Sequence, residues 1–240
     1  MTGPEGTDGA RRARPRRIPW TTAVPIGVLL IAALALSLLS AAGQPFAWDV
    51  PVMAWVQSEP PWTIRLAQAL SWIGLFIPSL LIALAIAAWL WRIGARAPAA
   101  VVVAASLLHG INRPMKAVVG RARPPEDVAE IIERAAGLGF PSGHAFGAML
   151  LFPVIAAALA LVMRPGWPLR IVQALLVLLA FGIGWSRVRL GAHWPSDVLG
   201  GWLWGAGIAL ALLAWGERWG MPARSGFHRA TDDANRATRP

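Results

Sequence analysis

The sequence predicts an all-α, polytopic membrane protein built as a bundle of six transmembrane helices. Hydrophobic residues make up 56% of the chain and charged residues only 14%, whereas a soluble domain carries charges at about a quarter of its positions. The apolar residues are also bunched into runs near the ~20 residues that cross a bilayer. The six runs are Trp20–Ala42, Ile73–Trp91, Ala97–Val119, Ala145–Met163, Ile171–Trp185 and Val198–Trp215.

Two of these runs need separate justification. Trp20–Ala42 ends in a Ser-Ala-Ala sequence that resembles a signal-peptide cleavage site. Its apolar core is longer than the ~7–15 residues usual in a signal peptide, so we predict a retained anchor. Ala97–Val119 is interrupted near its end by three basic residues, and Pro114 is expected to kink it there. Charge at membrane depth is costly, so this polar end indicates a functional role.

The arginines predict the orientation of the protein in the membrane. They cluster before the first run, between the second and third, between the fourth and fifth, and after the sixth. These four regions lie on one side of a six-span protein, and by the positive-inside rule that side is the cytoplasm. We therefore expect both termini in the cytoplasm and residues 43–72, 120–140 and 186–197 outside it. The same distribution accounts for the net charge of +10 without a nucleic-acid partner.

The remaining segments complete the predicted organisation. Residues 1–17 and 220–240 are rich in arginine and lack apolar periodicity, so we predict disordered cytoplasmic tails around one membrane domain, residues 18–219. Two connecting segments carry apolar stripes that predict short surface helices, the second lying over the outer face as a lid or as a plain connection. The stripes are Phe46, Val50, Met53 and either Ala54 or Val56 in residues 43–72, and Val128, Ile131, Ile132 and Ala135 in residues 126–138.

A first polar cluster lies at the end of the third predicted span. His109, Asn112, Arg113 and Lys116 are spaced as one helical stripe, which is expected to face the bundle interior. Lys116 is the only lysine among the 22 basic residues. The alternative is a helix end whose long side chains reach the membrane interface.

A second cluster, Pro-Ser-Gly-His at residues 141–144, directly precedes the fourth predicted span. The start of a helix has unpaired N–H groups and a partial positive charge, which together attract anions. Gly143 would let an oxyanion approach the backbone, Ser142 would add a hydroxyl donor, and His144 would stand beside that anion. The alternative is a helix cap with a solvated histidine at the interface.

A third cluster occupies residues 186–197. Arg187 has the planar guanidinium that binds phosphate through two parallel hydrogen bonds. His193 and Asp197 are four residues apart at the start of the last span, where a carboxylate on one ring nitrogen would leave the other free to attack. The alternative is an aspartate in a first helical turn that serves the helix dipole.

The three clusters fall on one predicted face of the membrane. Together they supply cations for a phosphate, a nucleophile with an orienting carboxylate, and an acid for a leaving oxygen, which are the parts of a metal-free phosphoryl-transfer site. Cysteine is absent from the chain, and Asp197 is the only acid in the three clusters. No metal site and no cofactor are therefore predicted.

In these motifs the sequence resembles the type 2 phosphatidic acid phosphatase family, also called the lipid phosphate phosphatases. That family's motifs are Lys-x6-Arg-Pro, Pro-Ser-Gly-His and Ser-Arg-x5-His-x3-Asp. Vanadium haloperoxidases carry similar motifs but are soluble, which the predicted spans argue against. The matching residues are Lys116, Arg123-Pro124, Pro141–His144, Ser186-Arg187, His193 and Asp197.

The resemblance implies a role for each motif residue. His193 would take the phosphoryl group, Asp197 would orient it, and His144 would protonate the leaving group. The orientation predicted from the arginines places this active site at the extracytoplasmic interface. The substrate-binding residues would be Lys116, Arg123, Ser142, Gly143 and Arg187.

The function expected from the resemblance is metal-independent hydrolysis of a lipid phosphate or diphosphate through a phosphohistidine intermediate. Polyprenyl diphosphate, phosphatidate and phosphatidylglycerophosphate all fit, with the lipid bilayer as the other partner. The alternatives are a non-catalytic lipid-phosphate binding protein and a transporter. Transport alone needs no His–Asp pair, and a non-catalytic relative usually shows a broken motif.

Overall fold

A computed structural model describes residues 18–218 of the 240-residue chain. Every regular element in this range is helical, as predicted. The two predicted tails, residues 1–17 and 220–240, lie outside the described residues. The helices are α1 (Trp20–Ser40), α2 (Asp49–Gln57), α3 (Trp62–Gly74), α4 (Phe76–Arg92), α5 (Arg96–Leu108), α6 (Asn112–Val119), α7 (Gly143–Val162), α8 (Trp167–Arg189) and α9 (Pro195–Arg218), with a 3-10 turn at His109–Ile111.

The described residues form a multi-pass membrane protein, but the count of six spans is not confirmed. Four helices are long and apolar enough to cross a bilayer, namely α1, α7, α8 and α9. Helices α3 and α4 provide a fifth candidate only if they count as one span, because they meet at 60°. Leu75 between them has extended backbone, which ends α3 and starts α4.

The third predicted span, Ala97–Val119, is divided by a break. Helix α5 ends at Leu108, the 3-10 turn follows, and α6 continues to Val119. The break lies about one turn before Pro114, which lacks an N–H and whose ring clashes with the carbonyl four residues earlier. The α-helical hydrogen bonding is therefore interrupted at His109–Ile111 rather than at the proline itself.

Helix α7 lies at the centre of the bundle, where it packs against α5, α8 and α9. Two glycines of α9 permit a close approach of its backbone to that of α7. A Cβ added to Gly201 would lie 2.7 Å from the carbonyl oxygen of Ser142, and one added to Gly205 would lie 2.6 Å from that of Phe146. Small residues at such contacts are typical of membrane helices. This packing places the start of α7 beside the start of α9.

Helix α1 lies at the periphery, against α9. The indole N–H of Trp204 donates to the hydroxyl of Ser37 at 3.0 Å. The opposite face of α1 is apolar and exposed, with Val28 60%, Ile31 69% and Leu38 68% exposed. A face of this composition suits contact with lipid tails.

The predicted short helix in residues 43–72 is confirmed at Asp49–Gln57, but its buried face differs from the prediction. Met53 and Val56 are buried and belong to a cluster with Trp194 and Val198. Val50 is exposed. Helix α2 therefore docks onto the start of α9. Helix α3, which follows it, was not predicted.

The predicted surface helix in residues 126–138 is wrong, because this segment is irregular. Its backbone bonds to other parts of the fold instead of to itself. The side-chain amide of Gln57 both donates to the carbonyl and accepts from the N–H of Glu130, at 2.8 and 3.1 Å. The N–H groups of Ile132 and Glu133 both donate to the carbonyl of Leu190. These bonds hold the segment against the end of α2 and the connection between α8 and α9.

Candidate active site

The three polar clusters meet at one end of the bundle. Lys116 lies near the end of α6, residues 141–144 begin α7, Arg187 lies near the end of α8, and Asp197 lies in the first turn of α9. The backbone N–H of Ser142 donates to the carbonyl of Asp197 at 2.9 Å, which joins the second cluster to the third. The fold thus assembles all three motifs around one space.

The stripe of the first cluster holds the chain that leads into α7. His109, Asn112 and Lys116 each bond to backbone carbonyls of residues 138–143, at distances between 2.7 and 3.4 Å. Arg113 is exposed and does not join them, so the prediction that it faces the interior is wrong. In this conformation Lys116 serves the loop before the Pro-Ser-Gly-His motif.

His193 is buried between a carboxylate and a guanidinium. Its Nδ1 lies 3.2 Å from Oδ2 of Asp197, and its Nε2 lies 2.9 Å from Nη1 of Arg123. Because a guanidinium only donates, Nε2 must accept and Nδ1 must carry the proton toward Asp197. The lone pair at Nε2 is the one that a nucleophile needs.

The charge state of His193 agrees with this tautomer. Burial lowers the pKa of His193 well below its usual value, and the positive charges of Arg123, Lys116 and Arg187 lower it further. The ring is therefore neutral at neutral pH. A neutral imidazole oriented by a carboxylate can attack an electrophile without first losing a proton.

The cations of the site are bonded to protein oxygens. Arg123 donates from Nε to Gly137 at 2.9 Å and from Nη2 to Ala136 at 3.1 Å, both at the backbone carbonyl. Arg187 donates from Nη1 to a carboxylate oxygen of Glu133 at 2.8 Å and to the hydroxyl of Ser71. These protein oxygens accept hydrogen bonds that the two guanidinium groups could instead donate to the oxygens of a phosphate.

Three buried polar atoms of the motifs have no hydrogen-bond partner among residues 18–218. They are Oγ of Ser142, Nε2 of His144 and Nε of Arg187. A buried donor without a partner costs stability, and a catalytic role or a bound ion is one explanation for such an atom. One is a hydroxyl, one a guanidinium N–H and one an imidazole nitrogen, which together suit an oxyanion and a proton transfer.

Metal-binding side chains are not gathered here. In the part of the chain that the structure describes, no group of three or more His, Asp or Glu side chains could hold a metal ion. The positive charge of the site comes instead from Lys116, Arg123 and Arg187.

Several residues of the site were missed by the sequence analysis. Ser71 and Glu133 reach Arg187 from α3 and from the irregular segment. Arg121 and Asp49 lie behind Asp197, fully buried. Only Arg121 had a sequence signal, because it stands two residues before Arg123 within the first motif.

Comparison with known proteins agrees with the motifs. Residues 94–221, more than half of the chain, match the PAP2 superfamily. A putative undecaprenyl-diphosphatase of Escherichia coli K12, YbjG, is 33% identical over 164 residues, covering 65% of this chain and 75% of that protein. Phosphatidylglycerophosphatase B of Bacillus subtilis 168 is 34% identical over 96 residues, 38% of this chain and 44% of that protein.

A solved structure shares the fold. The crystal structure of a transmembrane PAP2 type phosphatidylglycerolphosphate phosphatase from Bacillus subtilis superposes with a TM-score of 0.67, covering 81% of this chain and 96% of that one, at 24% identity. The shared fold and the extent of the family match lead to one conclusion: this chain belongs to the PAP2 superfamily.

Proposed function

We propose that this protein is a membrane phosphatase that hydrolyses a lipid phosphate or diphosphate through a phosphohistidine at His193. One observation carries the proposal. The Asp197 carboxylate and the Arg123 guanidinium lie on opposite nitrogens of a buried, neutral imidazole, so that its Nε2 lone pair faces the cationic side of the site. The family and the names of its relatives support the same class of reaction.

The first step forms the covalent intermediate. Nε2 of His193 attacks phosphorus, and the bond from phosphorus to the leaving oxygen breaks. His144, whose Nε2 has no protein partner among the described residues, gives its proton to that oxygen. The product is an alcohol from a monoester, or a lipid monophosphate from a diphosphate. Asp197 stays ionised and offsets the positive charge that the phosphorylated ring acquires.

The second step restores the enzyme. A water molecule attacks phosphorus, neutral His144 accepts its proton, and the electrons of the phosphorus–nitrogen bond return to Nε2 of His193. Inorganic phosphate leaves. Arg123, Arg187 and Lys116 neutralise the oxygens of the phosphoryl group in both steps, which is the role usually played by preorganised positive charge.

Substrate binding requires a local exchange of partners. Nη1 of Arg123 donates a hydrogen bond to Nε2 of His193, the proposed nucleophile, and Arg187 donates one to the Glu133 carboxylate. A phosphate with three oxygens can accept from both guanidinium groups, which frees Nε2 for attack. Protein carbonyls and one carboxylate are thus replaced by substrate oxygens, with no change in the helices.

The active site is proposed to face away from the cytoplasm, which the positions of the arginines support. Helices α7 and α9 start at the site, so the α4–α5 and α7–α8 connections lie at the other end of the bundle. Four arginines lie in or beside these two connections, namely Arg92, Arg96, Arg164 and Arg170. An alkaline phosphatase reporter fused after Gly137 should be active, whereas one fused after Gly94 should be inactive. The reverse pattern would contradict this orientation.

The identity of the lipid is tested with purified enzyme in detergent micelles. Specificity constants are compared for polyprenyl diphosphate, phosphatidate and phosphatidylglycerophosphate by phosphate release. Release from any of them, unchanged by EDTA, supports a metal-independent phosphatase. Absence of release from all of them would favour the alternative, a protein that binds or transports lipid phosphates without hydrolysing them.

The covalent intermediate has its own test. Substrate carrying radioactive phosphate should label the protein through a bond that is labile in acid and stable in base. His193→Ala should abolish both the label and turnover, whereas the matched change His228→Ala, outside the motifs, should leave both unchanged. Turnover by the His193→Ala variant at the wild-type rate would contradict the proposal.

A further inference from the structure

Arg121 lies directly behind the carboxylate that faces His193. The side chain is fully buried, with 0% exposure. Its Nη1 donates to Oδ1 of Asp197 at 2.9 Å, and its Nη2 donates to Oδ2 of Asp49 at 2.8 Å. Since Oδ2 of Asp197 faces His193, the two oxygens of this carboxylate are held from opposite sides.

The surroundings of Arg121 exclude water and fix the guanidinium. The rings of Phe46 and Trp194 lie 5.4 and 5.8 Å from its central carbon, within the range of cation–π contact. Nη1 also donates to the hydroxyl of Ser196 at 2.6 Å. A planar group held at both arms can transmit an orientation to its partners that a flexible ammonium cannot.

Asp49 balances the charge of Arg121. Besides Arg121, it accepts from the backbone N–H and the hydroxyl of Ser196, at 2.8 and 2.7 Å. Were Asp49 neutral, the full charge of Arg121 would act on Asp197 alone and weaken its attraction for a cationic imidazole. With Asp49 ionised, one cation is shared by two carboxylates, and Asp197 keeps negative charge for His193.

We infer that Arg121 and Asp49 are positioning residues for the phosphoryl transfer, which act through Asp197 and link the outer helix α2 to the nucleophile. The inference rests on the proposed roles of His193 and Asp197. A buried ion pair that served stability alone would be an ordinary structural feature. The two explanations differ in what they predict for kcat per folded molecule.

The test measures kcat and KM of Arg121→Lys for lipid phosphate in detergent micelles, with vanadate affinity as a measure of binding. Lysine keeps the charge but cannot hold two carboxylates in one plane. We expect kcat to fall at least tenfold, with KM and vanadate affinity changed less than threefold. The matched control is Arg189→Lys. Arg189 is also buried but bonds to Thr63 and to the carbonyl of Glu59, so its kcat should stay within twofold.

A double-mutant comparison separates positioning from structure. If Arg121 acts through Asp197, then Arg121→Lys should slow the Asp197→Asn enzyme less than threefold, measured in single turnovers with an aryl phosphate. The inference would be overturned if the loss of rate in the double variant equalled the product of the two single losses. It would also be overturned by a kcat of Arg121→Lys within twofold of wild type, or by an equal loss of kcat in Arg189→Lys.

Three further outcomes bear on the inference. Should Arg121→Lys not be recovered as a folded protein, Asp49→Asn replaces it, and the same thresholds for kcat, KM and coupling decide. Should Asp197→Asn turn over at the wild-type rate, the proposed role of Asp197 fails, and this inference fails with it. A slow Asp197→Asn enzyme beside a normal Arg121→Lys enzyme would overturn the inference alone.

Discussion

Replacing Asp197 by asparagine changes one oxygen to an NH2 group in a place where both oxygens accept. Oδ1 accepts from Arg121 at 2.9 Å, and Oδ2 accepts from Nδ1 of His193 and from the N–H of Trp194, both at 3.2 Å. An asparagine oxygen turned toward His193 would press the NH2 against the Arg121 cation. An oxygen turned toward Arg121 would place the NH2 on His193, which then carries its proton on Nε2 and cannot attack.

The magnitude follows from the charge that the reaction creates. In the proposed phosphohistidine intermediate the ring of His193 would be positive, and its Nδ1 lies 3.2 Å from the Asp197 oxygen. At that distance and an effective dielectric constant of about 20, a unit charge pair is worth about 5 kcal/mol. A barrier raised by about 4–5 kcal/mol corresponds to a loss of roughly 10³- to 10⁴-fold in kcat. The neutral ground state gains little from the charge, so binding should change little.

The assay compares Asp197→Asn with wild type in phosphate release from a lipid phosphate and in inhibition by vanadate. We expect kcat to fall by roughly 10³-fold or more, with vanadate affinity within a few-fold. The control is Asp127→Asn, the same chemical change at an exposed position of the irregular segment, which should have no effect. An Asp197→Asn enzyme with more than a tenth of the wild-type kcat would refute this reasoning.

Three other outcomes are expected. Because the pKa of His193 lies below its usual value, kcat/KM corrected for substrate ionisation should not decline at pH near 6.5. Arg123→Gln removes a positive charge that lowers this pKa, so the decline of kcat/KM in acid should move to higher pH. A move to lower pH would contradict this explanation of the pKa. Glu133→Gln removes the carboxylate that pairs with Arg187 and would compete with a phosphate for it. KM and the inhibition constant for inorganic phosphate should therefore fall by about two- to fivefold, and a rise in either constant would contradict this. Gly205→Ala brings a Cβ to 2.6 Å from the carbonyl oxygen of Phe146 and should lower the free energy of unfolding by about 1–3 kcal/mol, measured by thermal unfolding. The control Gly27→Ala, whose Cβ would have no atom within 4 Å, should be neutral. Equal unfolding midpoints for the two variants would show that α7 and α9 can move apart to accommodate the methyl group.

The sequence by itself determined the class of protein, and it predicted the residues to which the proposed chemistry is assigned. Apolar runs of bilayer length predict membrane helices because a helix satisfies its own backbone hydrogen bonds in lipid. Parts of two motifs lie within single segments, since Ser142 to His144 stand at the start of α7, and His193 and Asp197 are four residues apart across the start of α9. Because these residues are close in sequence, their proximity in space can be predicted from each segment alone.

Only the tertiary structure decided how those segments meet. The bend between α3 and α4, the break before Pro114 and the irregular course of residues 126–138 depend on contacts with distant parts of the chain. The ion pairs of Arg121 with Asp49 and of Arg187 with Glu133 join residues 72 and 54 positions apart. No periodicity or local propensity encodes such pairs, because the free energy of a buried charge is set by the partners that folding brings to it.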